Sequence, residues 1–315
     1  MASPGKNTRV PQSAAIITSR DNRWLKEFRM ALRGGLPAPS GAVGAEGVRL
    51  VEEALRSGCE IEAVLFSESG ERYRTRLVPL LHRPQIAFPV LKTTDRLFEG
   101  LADTEHPQGV AALVRPRRVT LDELLQTPVE NSSPVLIAVL AGVQDPGNVG
   151  TILRTAAAFG ATGAVTAGTP QSGSANPYGP KAIRASAGAA WHLPILTGMS
   201  LPILLTQFKV AGLTVLATCA SEVQSGAAPM LAPWQVDWRQ PVALLIGNEG
   251  GGLPEEFERA ADARVRIPIS SGIESLNAAA AAAVLFYEAA RQRAAATRSN
   301  TAGTPVQSLE PFQLT

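Results

Sequence analysis

The chain has 315 residues, 45% of them hydrophobic and 18% charged, which is typical of a folded protein with its own core. The formal net charge of +2 excludes a strong overall attraction to nucleic acid, so any RNA binding must come from local basic patches. Two distant cysteines, Cys59 and Cys219, and three scattered histidines predict free thiols in a reducing compartment and no metal site.

The first part of the chain predicts a small α/β unit at residues 14–115, after a polar, disordered head at 1–13. Residues 116–134, bounded by prolines, are expected to form a linker. The elements predicted here are helices at 22–32 and 47–57, strands at 63–66 and 110–114, and a short linker helix at 121–125.

From residue 135 strands and helices alternate, which predicts an α/β domain at 135–294 with a mostly parallel sheet covered by helices on both faces. A Thr-, Ser- and Pro-rich tail at 295–315 is expected to be disordered. No apolar run reaches the ~20 residues of a membrane span, and we expect a cytoplasmic protein. The predicted strands are 135–140, 164–167, 213–217, 242–246 and 265–267, and the predicted helices are 149–159, 181–190, 203–210, 254–261 and 276–293.

The first unusual segment of this domain follows its first strand, where parallel sheets commonly bind ligands. In DPGNVGTILR, Asn148 suits a helix cap, Gly150 permits close approach of another chain, and Arg154 interrupts an apolar helix. Taken alone, this segment is also explained by a capping asparagine and a solvated arginine on the outer face of the helix.

The second segment, IGNEGGGLP, follows the strand at 242–246 and includes Gly247 and Glu249. Its glycines suit a tight turn against a ligand. It matches neither the GxGxxG dinucleotide fingerprint nor a P-loop, which argues against a nucleotide-binding oxidoreductase. A plain connecting loop remains an alternative.

The third segment, RIPISSGIESLN, precedes the alanine-rich helix at 276–293. Ser275 suits a helix cap and Asn277 falls in the first turn, so capping alone explains part of the pattern. The small residues at 278–283 permit close packing on the sheet or on a second subunit.

Together, and in this order, the three segments resemble the three motifs of the SpoU-type ribose methyltransferases, the TrmH branch of the SPOUT superfamily. The resemblance covers residues 135–293 and includes PKAIRASAG at 180–188. More loosely, GAEG at 44–47 and QGV at 108–110 resemble an L30e-like substrate-binding domain.

This resemblance implies an S-adenosylmethionine-dependent RNA 2′-O-ribose methyltransferase with a C-terminal deep trefoil knot built from residues 213–293. It implies cofactor contacts at Thr218, Gly247, Ile267 and Leu276. The implied catalytic residues are Asn148, Arg154, Glu249, Ser275 and Asn277. Since a guanidinium rarely loses its proton, we expect Arg154 to hold a phosphate and stabilise the developing alkoxide rather than act as a base.

The resemblance also implies a homodimer in which the arginine of one subunit completes the site of the other. The candidate RNA-binding residues are Arg20, Arg23, Lys26, Lys181 and Arg184, with Arg29 and the ring of Trp24 nearby. The L30e-like domain favours structured ribosomal RNA. A tRNA methyltransferase of the same family and a non-catalytic ribosome-assembly factor remain alternatives.

Overall fold

The computed structural model of the chain describes residues 16–81, 88–126, 133–168, 173–219, 228–248, 250–270 and 272–300, with side chains as far as 296. The predicted disordered head at 1–13 and the part of the tail beyond 300 lie outside these residues. Within them, no helix combines the length and the hydropathy needed to cross a membrane.

The first sheet has five strands in the order β1-β4-β3-β5-β2. Strands β2 and β3 run antiparallel to β5, whereas β1 and β3 run parallel to β4. Its elements in chain order are β1 (Ile16–Ile17), α1 (Arg23–Leu32), β2 (Val43–Glu46), α2 (Val48–Arg56), β3 (Glu60–Ser67), α3 (Arg74–Leu81), β4 (Val90–Thr93), α4 (Asp95–Glu99) and β5 (Val110–Arg115), with a 3₁₀ turn at Ser69–Tyr73.

The two helices predicted by periodicity pack on this sheet as their patterns require. Leu25, Phe28 and Leu32 of α1 are buried, and the Asn22 side chain accepts a hydrogen bond from the Trp24 amide at the start of the helix. Helix α2 buries Val51 and Leu55 in the same way. The linker helix α5 (Leu121–Leu125) also forms, closed by a capping box of Thr120 and Glu123.

The second sheet has seven strands, all parallel, in the order β10-β12-β9-β11-β6-β7-β8. The central strands β6 and β11 are fully buried, which explains their continuous apolar sequences. Its elements are β6 (Leu136–Ala141), α6 (Pro146–Ala158), β7 (Gly163–Gly168), α7 (Pro180–Ala185), β8 (Ile195–Ser200), α8 (Leu201–Val210), β9 (Thr214–Thr218), β10 (Met230–Leu231), β11 (Val242–Ile246), α9 (Glu255–Ala260), β12 (Ala263–Val265) and α10 (Ala278–Asn300), with 3₁₀ turns at Ala189–Trp191 and Pro233–Gln235.

Several predicted boundaries in this domain were wrong; helix α6, for example, begins at Pro146 and not at 149. The helix expected at 181–190 ends at Ala185, because Ala187 and Gly188 adopt positive φ angles of 49° and 88° that break the helix. The strand expected at 265–267 occupies Ala263–Val265, where it pairs with β9. The tail expected to be disordered from 295 continues α10 to Asn300, because its alanines favour helix and no glycine interrupts it before 303.

The two sheet units touch through α7 and the turn that follows it. Arg184 pairs with Asp103 at 2.7 Å, and His192 Nε2 lies 3.0 Å from Glu53 Oε2. The Cys59 thiol donates to the Trp191 carbonyl at 3.4 Å. These contacts hold the first unit against the side of the second sheet.

Candidate active site

The carboxyl ends of four parallel strands, β6, β9, β11 and β12, meet at one edge of the second sheet. All three unusual sequence segments begin at this edge, after β6, β11 and β12. The fold therefore brings together segments that are more than 100 residues apart in the chain, as the position of ligand sites in open parallel sheets leads one to expect.

Helix α6 begins at this edge with Asp145 as its cap. Asp145 Oδ1 accepts a hydrogen bond from the Asn148 amide at 2.9 Å, so the prediction that Asn148 caps the helix was wrong. Pro146 at the first helical position makes Asp145 the better-placed cap. Lys181 Nζ donates to Asp145 Oδ2 at 2.6 Å, and this bond, together with the Asn148 amide, lowers the pKa of the carboxyl.

The side chain of Asn148 joins the first segment to the third. Asn277 Nδ2 donates to Asn148 Oδ1 at 3.0 Å. Asn277 Oδ1 accepts from the amides of Ala279 and Ala280, which makes Asn277, and not Ser275, the cap of α10. Because the cap fixes which amide atom is the acceptor, the same side chain must donate towards Asn148.

The loop after β11 is held by Asn248, a residue that the sequence analysis did not single out. Its Nδ2 donates to the Gly142 carbonyl at 2.9 Å, and its Oδ1 accepts from the Gly250 amide at 2.8 Å. Gly247 has no room for a side chain, since a Cβ would lie 2.4 Å from the Gly252 carbonyl carbon. Glu249, predicted to be catalytic, lies outside the described residues.

A cavity of about 320 Å³ opens between these segments. All four predicted cofactor residues line it: Thr218, Gly247, Ile267 and Leu276. Ser275 lines it as well, as do residues that the sequence analysis missed, among them Cys219, Ile246, Glu258, Ile269 and Glu274. Burial and the nearby Glu258 raise the pKa of the Cys219 thiol. The walls thus combine apolar side chains with exposed glycine backbone, a composition typical of small-molecule sites.

Arg154 lies apart from this cavity. It is exposed on α6, six residues after Asn148, which corresponds to about 9 Å along the helix and a different face. No residue in the described part of the chain forms an ion pair or hydrogen bond with its guanidinium. Gly150, between them, has α7 packed against it, because a Cβ there would lie 2.2 Å from the Ala182 carbonyl oxygen.

The predicted RNA-binding residues form two groups. Lys181 and Arg184 lie on α7 next to the candidate site and take part in the ion pairs described above. Arg20, Arg23 and Lys26 lie on or before α1, where Arg23 stacks over the Trp24 ring at 4.7 Å and Lys26 pairs with Asp21. Gly35, just beyond α1, lies against Pro180 at the start of α7. The end of α1 is therefore next to the helix that carries Lys181 and Arg184.

Comparison with known proteins identifies the family. Residues 135–287 match the model of the SpoU rRNA methylase family, and residues 39–112 match the MRM3-like substrate binding domain. The chain belongs to the SpoU rRNA methylase family. Like other members it is an S-adenosylmethionine-dependent RNA methyltransferase, with an N-terminal substrate-binding domain before the α/β catalytic domain.

Individual relatives extend over nearly the whole chain. The 23S rRNA guanosine 2′-O-methyltransferase RlmP of Bacillus subtilis is 30% identical and aligns over 86% of this chain and 97% of its own length. A 23S rRNA uridine 2′-O-methyltransferase of Streptomyces viridochromogenes is also 30% identical, over 95% of this chain and 99% of its own. The AdoMet-bound rRNA methyltransferase from Sinorhizobium meliloti superposes with a TM-score of 0.70 at 28% identity, over 88% of this chain and 98% of its own.

Proposed function

We propose that this protein methylates a ribose 2′-hydroxyl of ribosomal RNA at the site formed by the cavity and the Asn148–Asn277 pair. The observation that carries the proposal is the 3.0 Å hydrogen bond between these two side chains, beside a cavity lined by all four expected cofactor residues. The RNA target and the ribose position are inferred from the two ribosomal relatives, whose names specify 23S rRNA and 2′-O-methylation.

The residues around the cavity fit the cofactor. Ile246, Ile267 and Leu276 offer apolar surface for a purine ring, and the glycine backbone after β11 offers amide and carbonyl groups to the ring edge. These residues would hold S-adenosylmethionine, which would supply a methyl group carried on a positively charged sulfur. The ribose 2′-oxygen would take up the methyl group, the departing sulfur would be left as a neutral thioether, and the hydroxyl proton would pass to solvent water.

Positioning is the main task of the chain's own residues in this proposal. Asn148 and Asn277 fix the edge at which the ribose arrives, and Ser275 orients the ribose from the cavity wall. Holding two reactants in line accounts for up to ~7–11 kcal/mol of a barrier in favourable cases. Glu249 is proposed to order Asn148 or Arg154, as the family resemblance implies.

We propose that Arg154 acts across a homodimer. The exposed face of α6 carries Thr151, Arg154 and Ala158, and the neighbouring face of α10 exposes Val284 and Tyr287 at 41% and 56%. Phe159 meets Tyr287 edge to face, with ring centroids 5.7 Å apart, so the two faces form one partly apolar surface. Pairing two copies through it would bring Arg154 of the partner subunit to the site, where it would hold a phosphate and stabilise the alkoxide.

The trefoil knot belongs to the same proposal. Strand β12 is separated from β6 by β9 and β11, yet Asn277, twelve residues after β12, bonds to Asn148 beyond the end of β6. The chain must therefore cross back over two strand ends, and the proposed knot lies in residues 213–293. Since ribosomal RNA is the proposed substrate, we expect the protein to work in the cytoplasm.

The test is to incubate the purified protein with methyl-labelled S-adenosylmethionine and either unmodified ribosomal RNA or tRNA, and then to identify the labelled nucleoside after digestion. A 2′-O-methylated nucleoside from ribosomal RNA is expected. Label in tRNA alone would favour a tRNA methyltransferase of the same family. Cofactor that fails to bind would favour a non-catalytic assembly factor.

A further inference from the structure

A buried carboxylate, that of Glu258, lines the cavity at its far end. Glu258 lies in the last turns of α9 and is 8% exposed, whereas the neighbouring Glu255 and Glu256 face solvent. The same part of the cavity is lined by Thr218 and Cys219 at the end of β9 and by Val265 at the end of β12. An acidic side chain in such a wall is unusual, because removing a carboxylate from water is costly unless it gains partners.

Glu258 has no such partner among the described residues. Neither of its carboxylate oxygens accepts a hydrogen bond there, and Oε2 is fully buried. Burial accordingly raises the pKa of Glu258, although the positive charge of Arg264 opposes that shift. Because Oε2 has no accessible surface, a ligand in the cavity would reach Oε1, the carboxylate oxygen that keeps access and that also lacks a donor among the described residues.

Arg264 does not resolve this deficit. It is 5% exposed, its Nε donates to the Ala228 carbonyl at 3.0 Å, and its Nη1 is buried without a partner. The positive charge of the guanidinium favours the ionised form of Glu258, but the two groups form no ion pair within 4.0 Å in the described structure. Arg264 therefore lowers the cost of keeping Glu258 ionised without occupying its oxygens.

The location of Glu258 separates it from the chemistry. The Asn148–Asn277 pair marks the β6 end of the site, while Glu258 lies beside β9 and β12. The sheet order places β12 three strand spacings from β6, about 14 Å. A side chain beside β12 therefore lies too far from the Asn148–Asn277 pair to contact a ribose held there.

We propose that Glu258 binds S-adenosylmethionine by accepting a hydrogen bond from one of its donor groups at the end of the cavity remote from the ribose. The inference rests on the proposed function, because it requires that this cavity holds the cofactor. The cofactor has N–H or O–H donors in both halves: the adenine amino group and ribose hydroxyls in its nucleoside, and the ammonium in its amino acid. A carboxylate accepts from either kind, most strongly from a cation.

The rival explanation is structural, with Glu258 and Arg264 balancing each other's charge inside the protein. On that view, removing the carboxylate destabilises the fold and leaves cofactor affinity unchanged in the folded fraction. If Glu258 binds the cofactor, removing its carboxylate weakens cofactor binding whatever happens to stability. The KM for the cofactor then rises while kcat stays nearly unchanged. Ligand affinity measured on folded protein separates the two.

The experiment measures by calorimetry the affinity of the full chain for S-adenosylhomocysteine, which keeps both halves, and for methylthioadenosine, which lacks the amino acid. The variants are Glu258→Gln, which removes the charge, and Glu258→Leu, which removes both acceptors and suits the apolar surroundings. Glu256→Gln makes the same charge change on the solvent side of the same helix and serves as the control.

We expect both Glu258 variants to weaken S-adenosylhomocysteine binding by about tenfold or more, the loss of one charge-assisted hydrogen bond. The KM for S-adenosylmethionine should rise by a similar factor with kcat changed less than about threefold. Equal weakening of methylthioadenosine assigns the contact to the nucleoside half, and weakening of S-adenosylhomocysteine alone assigns it to the ammonium. If the two Glu258 variants bind as tightly as wild type and Glu256→Gln, the inference about Glu258 is overturned and the proposed function stands. If wild-type protein binds neither compound, the proposed function is overturned as well.

Discussion

At the scale of single residues, the candidate site contains side chains whose orientation is fixed by their hydrogen bonds. Asn277 is the clearest case, because its oxygen caps α10 and its nitrogen reaches Asn148. In the proposed function this one amide serves both stability and activity, and substitutions that keep one role and remove the other can separate them.

The replacement Asn277→Asp keeps a cap acceptor but removes the donor to Asn148. We expect the melting temperature to stay near that of wild type while methyl transfer falls about tenfold to a hundredfold, the usual loss for an oriented hydrogen bond. Asn277→Ala should lose the same activity and in addition about 1 kcal/mol of stability with the cap. Thermal unfolding and single-turnover kinetics measure both, and an Asp variant with full activity would contradict the role of the pair.

Asp145 gives a prediction about pH. Its pKa in the folded state is lowered, chiefly by Lys181 and then by the Asn148 amide, so its contribution to stability is present above the unfolded pKa of about 3.9 and is lost as the pH falls through the lower folded value. Asparagine also caps helices but carries no charge. The stability gap between wild type and Asp145→Asn, measured by urea unfolding, should therefore be present at neutral pH and close on acidification below about pH 4. A gap that stays constant down to pH 3 would show that the charge of Asp145 is irrelevant.

At the scale of elements, the sequence predicted best where burial imposes a strong pattern. The central strands β6 and β11 are apolar throughout and were found within a residue of their predicted limits. Strands β1, β2, β4, β8 and β10 were not predicted, because strands of two to four residues, or one with exposed positions such as β8, show no clear alternation. Helix α7 ends at Ala185, before a turn in which Gly188 lies against Glu53 of the first sheet unit. This is a tertiary contact, so the local sequence pattern could not predict it.

The candidate site was predictable in part for similar reasons. Thr218, Gly247, Ile267 and Leu276 follow strands or precede a helix, so the motifs locate them and the structure brings them to one cavity. Asp145 was recognisable as a cap from the proline after it. Glu258 was not recognisable, because three glutamates lie close together in α9 and only the fold decides which one faces the cavity.

The loop after β11 yields a prediction at this scale. Gly247→Ala would place a methyl group 2.4 Å from the Gly252 carbonyl carbon, whereas a Cβ at Gly251, in the same loop and without a positive φ angle, meets nothing within 4 Å. We expect Gly247→Ala to lower the free energy of unfolding by about 1–3 kcal/mol, as overpacking usually does, and Gly251→Ala to leave it nearly unchanged. Chemical denaturation compares them, and equal stabilities would mean that the loop is not closed as described.

At the scale of the whole molecule, the proposed dimer would complete a set of site residues that one chain holds on two separate faces. The cavity, Asn148 and Asn277 belong to one face, and Arg154 extends from another that also exposes Val284 and Tyr287. The first sheet unit is held against α7 by ion pairs, and its basic helix α1 leads towards Lys181. An RNA that bridges the two units would meet both groups of basic residues before its ribose reaches the cavity.

Mixing two variants that are each impaired in methyl transfer tests whether Arg154 acts across the proposed dimer. Arg154→Ala and Asn277→Asp subunits, unfolded and refolded together, give heterodimers in which one site keeps both residues if the arginine comes from the partner. Activity should then recover to about a quarter of the wild-type value, because half the dimers are mixed and each has one intact site. No recovery, with heterodimers shown to form by native mass spectrometry, would place the arginine in its own subunit's site.

The central claim is methyl transfer to a ribose 2′-oxygen, and alkaline hydrolysis of the labelled RNA tests it most directly. Alkali cleaves RNA by attack of the 2′-hydroxyl on the adjacent phosphate, so a 2′-O-methyl group blocks cleavage at that one position. After methylation of ribosomal RNA with labelled cofactor and complete hydrolysis, the label should appear in an alkali-resistant dinucleotide, and Asn277→Asp should reduce its amount. Label recovered instead in mononucleotides would mean that a base is methylated and would contradict the account.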